Sequence, residues 1–334
     1  MNDLYDVTII GGGPAGLYTA FYSGMRSLKT KLIEAKPDLG GVVTHFYPEK
    51  CIYDVGGIVK IRGEELIEQL TQQAKTFQPK IVKNQVIDRL KVQEDGLFQL
   101  TSTNGDVHVT RKIILAVGCG TFEVNKLQLD GAERFENTSL FYAVHQIRQF
   151  SGKRVVISGG GDAALDWAAE LSQVCRQVTV VYRGDSFTHA LEHQVRRLRK
   201  HSVNVKLNSE LIDLSGSDKL QSVTIRETKT SQTKVIPADA LIVNHGFRFG
   251  LGGIENWGLS IENNGIVVDQ RMESSVKGIF AIGNAASYPN KFYLIAVGFV
   301  EGAAAVNAIK HDLDPEAPSQ ATVSTHHEKF VQKD

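Results

Sequence analysis

Two rhythms of apolar residues alternate along the chain. "DVTII" near the start is a short continuous apolar run, and glycines follow at once. "AGLYTAFYSGMR" has helical character, and "TKLIEA" reads as a second strand. Residues 38–62 are loop-rich, and "GEELIEQLTQQAKTF" is an amphipathic helix. Strands separated by turn signals lead to "RKIILAVGCG". The opening pattern then recurs. "KRVVISGGG" is strand then glycines, "DAALDWAAELSQVC" is helix and "QVTVVYRG" is strand. Further strands and turns fill 203–243, "KGIFAIGN" is one more strand, and "IAVGFVEGAAAVNAIKH" is the last helix. The tail from Leu313 is polar, carries Pro315 and Pro318, and reads as irregular.

Length and composition narrow the class. The 334 residues, 42% hydrophobic and 22% charged, suit a two-domain globular protein. Formal net charge is zero, so no global field draws the chain to nucleic acid or an anionic membrane. No apolar run approaches a membrane span, and the N-terminus has no signal-peptide pattern. The three cysteines, Cys51, Cys119 and Cys175, are widely spaced without a CxxC, which points to the cytoplasm rather than to a disulfide framework.

The two glycine clusters carry the chemistry. "IIGGGPAGL" and "ISGGGDAALD" align without a gap, so that Gly11, Gly13 and Gly16 match Gly159, Gly161 and Ala164. The first glycine permits a tight turn, the second lets backbone approach a pyrophosphate, and the third position packs helix on strand. Phosphate oxygens then meet free N–H groups at a helix head. Each copy has a strand before it, a helix after it and a second strand at the expected distance, which makes this an internal duplication of a dinucleotide unit. The second strands end differently. Glu34 can accept hydrogen bonds from ribose hydroxyls and would repel a 2′-phosphate, which suits FAD or NAD(H). Its counterpart is Tyr182, followed by Arg183, which can pair with the 2′-phosphate of NADP(H).

A third segment, "GIFAIGNAAS", joins "IILAVG" and the first loop in a pattern that resembles the FAD segments of flavoprotein reductases with two dinucleotide-binding domains. Within that group the chain resembles the thioredoxin reductase-like ferredoxin–NADP reductases of bacteria. The stretches "FYPEKCIYDVGG", "ISGGGDAALDWAAEL", "IVNHGF", "NWGLSIE" and "LIAVGFVEGAAAVNAIK" carry the likeness. It implies an α/β fold of two Rossmann-like dinucleotide-binding domains, each a three-layer ββα unit. The NAD(P)H domain (118–244) would be inserted into an FAD domain (1–117 and 245–334), with "AVGCG" and "VNHGF" as the crossings.

The resemblance also implies site residues. FAD would be held by Gly11, Gly13, Pro14, Ala15, Gly16, Glu34, Gly41, Val42, Tyr47, Val86, Gly118, Phe122, Gly283, Asn284, Ser324 and Thr325, with Tyr47 against the flavin ring. NADPH would be held by Gly159, Gly161, Asp162, Ala163, Ala164, Tyr182 and Arg183. A homodimer and ferredoxin or flavodoxin as electron acceptor follow from the same likeness. No side-chain acid, base or metal is needed, because the flavin carries the chemistry. Five positions depart from the family pattern: Val42 for a glutamine, Gly184 for an arginine, Thr188 for an arginine, Asn284 for an aspartate and Val323 for a histidine. His326 and His327 follow closely and are candidates to substitute for that histidine, which in the family covers the other flavin face. These departures leave NADH as well as NADPH open as donor.

A thioredoxin reductase would need a dithiol in the second domain, and "SLFYAVHQIRQFSGKR" has no cysteine there. Cys51 follows the flavin-flanking loop and is either near the ring or a plain half-buried thiol. "EHQVRRLRKH" gathers Arg196, Arg197, Arg199 and Lys200, either as a solvated face, as a dock for an acidic carrier or as a phosphate contact near Arg183. His189 and His193 share a helix face with His145 elsewhere, which is no metal pattern. Two rivals remain: the same fold with another acceptor such as a quinone, free flavin, iron or a redox protein, and a flavin-binding regulatory protein without catalysis.

Overall fold

A computed structural model of the chain describes residues 4–187, 192–320 and 322–331, with the side chains of Phe122, Glu192 and His193 set aside. It divides into two units: one takes the residues up to Phe122 and again from Phe249 onward, the other is Glu123–Arg248. The crossings fall a few residues past the expected 117/118 and 244/245 boundaries. The strands continue beyond the glycines there, as β9 and β18 below show.

The first unit opens with β1 (Tyr5–Ile10), α1 (Pro14–Met25) and β2 (Thr30–Ile33). The loop-rich stretch contains one feature that periodicity did not reveal, a short helix α2 (Gly41–Phe46). Six residues are too few for a helical rhythm, and the turn into it needs left-handed backbone at Gly40 (φ 111°). The two-residue strands β3 (Cys51–Ile52) and β4 (Ile61–Arg62) lead to α3 (Gly63–Lys75). Its buried Leu66, Ile67, Leu70 and Ala74 follow the 3.6-residue period of the sequence. Then come β5 (Lys80–Val82), β6 (Ile87–Val92), β7 (Phe98–Ser102), β8 (Val107–Leu115) and β9 (Thr121–Val124). The sheet runs β5-β2-β1-β8-β7-β6. Its β5, β2, β1 and β8 are parallel, and β8 turns antiparallel to β7 in its first half.

The inserted unit contains β10 (Leu140–Phe141), β11 (Arg154–Ser158), α4 (Asp162–Leu171), β12 (Gln177–Val181) and α5 (Glu192–Lys200). It continues with β13 (Asn204–Lys206), β14 (Ser209–Gly216), β15 (Leu220–Glu227), β16 (Thr233–Pro237) and β17 (Ala240–Val243). A parallel sheet β10-β17-β11-β12-β13 is separate from an antiparallel β14-β15-β16. Side chains alternate between the two faces of the parallel sheet. Val155, Ile157, Val180 and Ile242 pack with Leu165, Ala168 and Leu198 of the helices. Val156, Val181, Leu241 and Val243 pack with Leu211, Val223, Ile225 and Ile236 of the antiparallel sheet. Both faces are therefore covered, which is why these strands read as unbroken apolar runs. The three layers are sheet, sheet and helices, as the resemblance implied.

The return to the first unit runs through β18 (Phe247–Gly250), which pairs with β9. A small sheet of β19 (Ile261–Glu262), β20 (Gly265–Val267) and β22 (Ala286–Ser287) flanks β21 (Ile279–Ala281), and α6 (Ile295–Leu313) follows. The strand β21 joins β8 in parallel, so the chain's late strand completes the early sheet. Among its described residues the tail has turns, one of them a short helical turn at Ser324–His326, but no strand or longer helix, yet it is held. The buried Arg26 at the end of α1 donates to the carbonyls of Pro318 and Gln320 and to the Thr322 hydroxyl, at 2.9, 3.1 and 3.0 Å. Phe330 packs on Phe21 and Phe77.

This anchoring generates a prediction. Arg26→Leu removes hydrogen bonds from a charged donor, worth about 1.5–3 kcal/mol each, so limited proteolysis within the tail should be faster by about tenfold or more. An unchanged cleavage rate would mean that the aromatic contacts alone hold it.

Candidate functional site

The first glycine loop bends because β1 ends beside β8. A Cβ on Gly11 (φ 109°) would lie 2.3 Å from the Ala116 carbonyl oxygen, so only glycine lets the two strand ends approach. A Cβ on Gly16 would lie 1.9 Å from the Gly11 carbonyl oxygen, which fixes the head of α1 on the loop. Gly13 faces open space. The loop opens on a cavity of about 390 Å³ within the first unit. The heads of α1, α2 and α6 all border it, through Pro14, Gly41 and Ile295. Helix heads carry positive partial charge and free N–H groups, so the cavity suits an anion.

The buried Glu34 sits at its rim. One carboxylate oxygen accepts from the Gly12 N–H at 2.7 Å and the other from the Lys36 N–H at 2.8 Å. Each oxygen has a lone pair left for a further donor. Tyr47 also borders the cavity, and burial, followed by the negative charge of Asp54, pushes its phenol upward, so it stays protonated.

The opposite wall is the Gly283–Asn284 turn, with left-handed Gly283 (φ 62°). Three residues that sequence reasoning missed hold it. The buried Glu301 accepts from the Gly283 N–H at 2.6 Å and from the Tyr288 hydroxyl at 2.5 Å. Lys291 pairs with Glu301 and donates to the Gly283 carbonyl at 2.9 Å. Burial lowers the Lys291 ammonium and raises the Tyr288 phenol. The signal was available: Glu301 is an acid inside the otherwise apolar run "VGFVEGAAAV".

Of the residues expected to hold FAD, Gly11, Gly13, Pro14, Ala15, Glu34, Gly41, Val42, Tyr47, Val86, Gly118, Gly283 and Asn284 line this cavity. Gly16 lies beneath the loop. The Phe122 side chain lies outside the described residues. Ser324 and Thr325 do not line this cavity. They are exposed and off the cavity, because Arg26 and Phe330 hold the tail on α1. His327 likewise meets Phe77 and Phe330, so it does not take the place of Val323 at this cavity. Cys51 is half-buried in β3 and off the cavity.

The second loop repeats the first. A Cβ on Gly159 would lie 2.5 Å from the Asn244 carbonyl oxygen, and Gly161 faces open space. The cavity here is about 1320 Å³ and lies within the inserted unit. All seven residues expected to hold NADPH line it: Gly159, Gly161, Asp162, Ala163, Ala164, Tyr182 and Arg183. The Tyr182 ring explains one departure. A Cβ on Gly160 would lie 2.4 Å from it and one on Gly184 2.5 Å, while Phe187 stacks on it at 5.6 Å. An arginine at position 184 would displace this ring. Thr188 and His189 lie outside the described residues, and among the described residues no group of three His, Cys, Asp or Glu could hold a metal ion.

His245 was missed as a site residue. It follows β17, lines the cavity and shares a 2.8 Å hydrogen bond with the Ser158 hydroxyl at the end of β11. The basic segment keeps Arg196, Arg199 and Lys200 exposed, as a solvated face would, and offers no phosphate contact. Arg197 meets Asp166 at 3.7 Å, Gln194 donates to the same carboxylate, and Leu198 is buried. One face of α5 is therefore engaged by α4, and none of its arginines lines the cavity.

Comparison with known proteins follows the same outline. Residues 5–311 match the family described as pyridine nucleotide-disulphide oxidoreductase. Ferredoxin–NADP reductase 1 of Listeria monocytogenes serotype 4b (strain F2365) is 48% identical over 99% of this chain and 99% of its own length. The protein of the same name from Bacillus velezensis (strain DSM 23117 / BGSC 10A6 / LMG 26770 / FZB42) is 49% identical over 99% of this chain and 98% of its own. Among solved structures, thioredoxin reductase of T. acidophilum superposes with a TM-score of 0.76 at 23% identity, covering 93% of this chain and 99% of that one. Lactococcus lactis thioredoxin reductase gives 0.74 at 26% identity, covering 91% and 97%. No helix of the described residues is long and apolar enough to cross a membrane.

The Lys291–Glu301 pair yields a prediction. Lys291→Met leaves a buried carboxylate without its cation and should reduce stability to urea by about 3–5 kcal/mol. A loss below about 1 kcal/mol would contradict a buried ion pair that holds the Gly283 turn.

Proposed function

The chain belongs to the pyridine nucleotide-disulphide oxidoreductase family, and from that premise we propose that it is an FAD-dependent enzyme that passes electrons from NADPH to ferredoxin or flavodoxin. The observation that carries the reading is the contrast between two copies of one loop. Both present an open second glycine at a helix head, but one has a carboxylate at the neighbouring strand end and the other an arginine.

The first cavity fits FAD. Helix heads and Gly13 suit the diphosphate, Glu34 suits ribose hydroxyls, and Tyr47 offers a protonated ring for stacking. When bound, FAD supplies hydride acceptance at N5 and one-electron delivery to the acceptor. The protein's part is to hold and orient. Asn284 stands where the family has an aspartate, and it can donate as well as accept without adding charge. The Glu301–Lys291–Tyr288 lock keeps Gly283 in its left-handed turn. The Val42 side chain carries no polar group, so it would give bound FAD an apolar contact where the family has a glutamine.

The second cavity is read as the NADPH site. Arg183 is the cation for the 2′-phosphate, and Tyr182 packs between Gly160 and Gly184 so that Arg183 stands without an arginine beside it at 184. Cys51, Cys119 and Cys175 are all free, and none forms a dithiol, which favours an acceptor other than a disulphide. Exposed Phe292 and Val300 near the head of α6 offer apolar area for a second copy, in line with a homodimer; the cytoplasm is the compartment read from the sequence.

The test is a split of kinetic constants with ferredoxin as acceptor. Arg183→Ala should raise KM for NADPH by about 10- to 100-fold and leave KM for NADH within about twofold. Equal changes for both nucleotides would remove Arg183 from 2′-phosphate recognition and favour the reading with another donor.

A further inference from the structure

The inserted unit's cavity holds one group that the proposed reaction does not use. His245 stands at the end of β17, directly after Asn244, whose carbonyl meets the glycine loop. Its Nε2 and the Ser158 hydroxyl lie 2.8 Å apart, and Ser158 is the residue immediately before Gly159. The imidazole is thereby fixed at the loop itself, beside the turn where a diphosphate would lie. Arg183 follows a different strand, β12, on the other side of β11.

From this placement we propose that His245 is a proton-linked contact for the diphosphate of the bound nucleotide. The proposal rests on the reading of this cavity as the NADPH site. The charged groups around the same cavity are Glu123 and Lys126 from the incoming segment, Asp162 at the head of α4, Arg183 after β12, Glu210 on β14 and Arg248 on β18. His245 is the histidine among the residues lining this cavity, and histidine is the side chain that ordinarily changes charge between about pH 5 and pH 8.

The direction follows from the surroundings. Burial and, after it, the positive charge of Arg183 hold His245 below the usual histidine range, so the ring is neutral in the free site at neutral pH. A diphosphate brings negative charge beside the ring and favours its cationic form. Binding therefore takes up a proton, and affinity rises as pH falls through the bound-state value. The gain levels off once the ring of the free site is also protonated. The Ser158 hydroxyl can donate to a neutral ring nitrogen and can turn to accept from a protonated one, so the hydrogen bond survives both states.

The test is isothermal titration calorimetry of the full-length, FAD-loaded protein with NADP⁺, in two buffers of different ionisation enthalpy, between about pH 6 and pH 8. The expected result is uptake of a substantial fraction of one proton, and a Kd that tightens about three- to tenfold over that range. His245→Gln keeps a hydrogen-bonding side chain next to Ser158 and should abolish that part of the uptake. The 2′-phosphate titrates in the same range, but its contribution is common to both proteins. NAD⁺ has the diphosphate without the 2′-phosphate, and at the higher concentrations it needs it should show the same linkage. Linkage with NADP⁺ alone would move the contact to the 2′-phosphate and overturn the assignment. Equal proton uptake by wild type and His245→Gln would overturn it too. Absence of binding by either nucleotide at every pH would instead remove the NADPH reading of the cavity, and this proposal with it.

Discussion

Each nucleotide loop rests on a contact between two stretches of backbone that only glycine permits. At Gly11 the partner is the Ala116 carbonyl, and at Gly159 it is the Asn244 carbonyl. A methyl group at either place would sit within 2.5 Å of an oxygen. The approach brings the end of one parallel strand against its neighbour and turns the chain straight into a helix. The helix head then carries no side-chain cap, and the next glycine but one, Gly13 or Gly161, is left open beside it. The two cavities, their positive helix ends and their rim residues are all arranged around this one approach.

The two copies have diverged at the residue that packs on the middle glycine. Glu34 reaches back to the Gly12 N–H and becomes a fixed, buried acceptor. Tyr182 lies flat across Gly160 and Gly184 and contributes no charge, so the polar reading of that rim falls to Arg183 and His245. On the proposed reading, one rim would repel a terminal phosphate and the other attract one, although the glycine approach behind them is built in the same way. In the proposed function, this small change at a strand end is what would separate a cofactor held by hydrogen bonds to ribose from a donor selected by phosphate charge.

Much of this was legible in the sequence, for local reasons. Glycine spacing, the apolar strands before it, the helical character after it and the 3.6-residue pattern of α3 are all short-range signals, and the structure follows them. The insertion of one unit into the other came from resemblance, since no local pattern reveals that β21 will join β8. The misses are long-range. Arg26 meets residues near the far end of the chain, and this draws Ser324 and Thr325 away from the cavity. Lys291 and Glu301 find each other across the head of α6. His245 stands next to a glycine in "VNHGF", and only the neighbouring strand supplies Ser158. The helix at Gly41–Phe46 escaped because six residues give no period to read.

Two loops with two different ligands require that one ligand reduce the other on a single chain. The most direct measurement is anaerobic mixing of the FAD-loaded protein with NADPH while the visible flavin absorbance is followed. Loss of the yellow colour within seconds, and its return on addition of oxidised ferredoxin, is the predicted result. A flavin that keeps its colour in excess NADPH would contradict it.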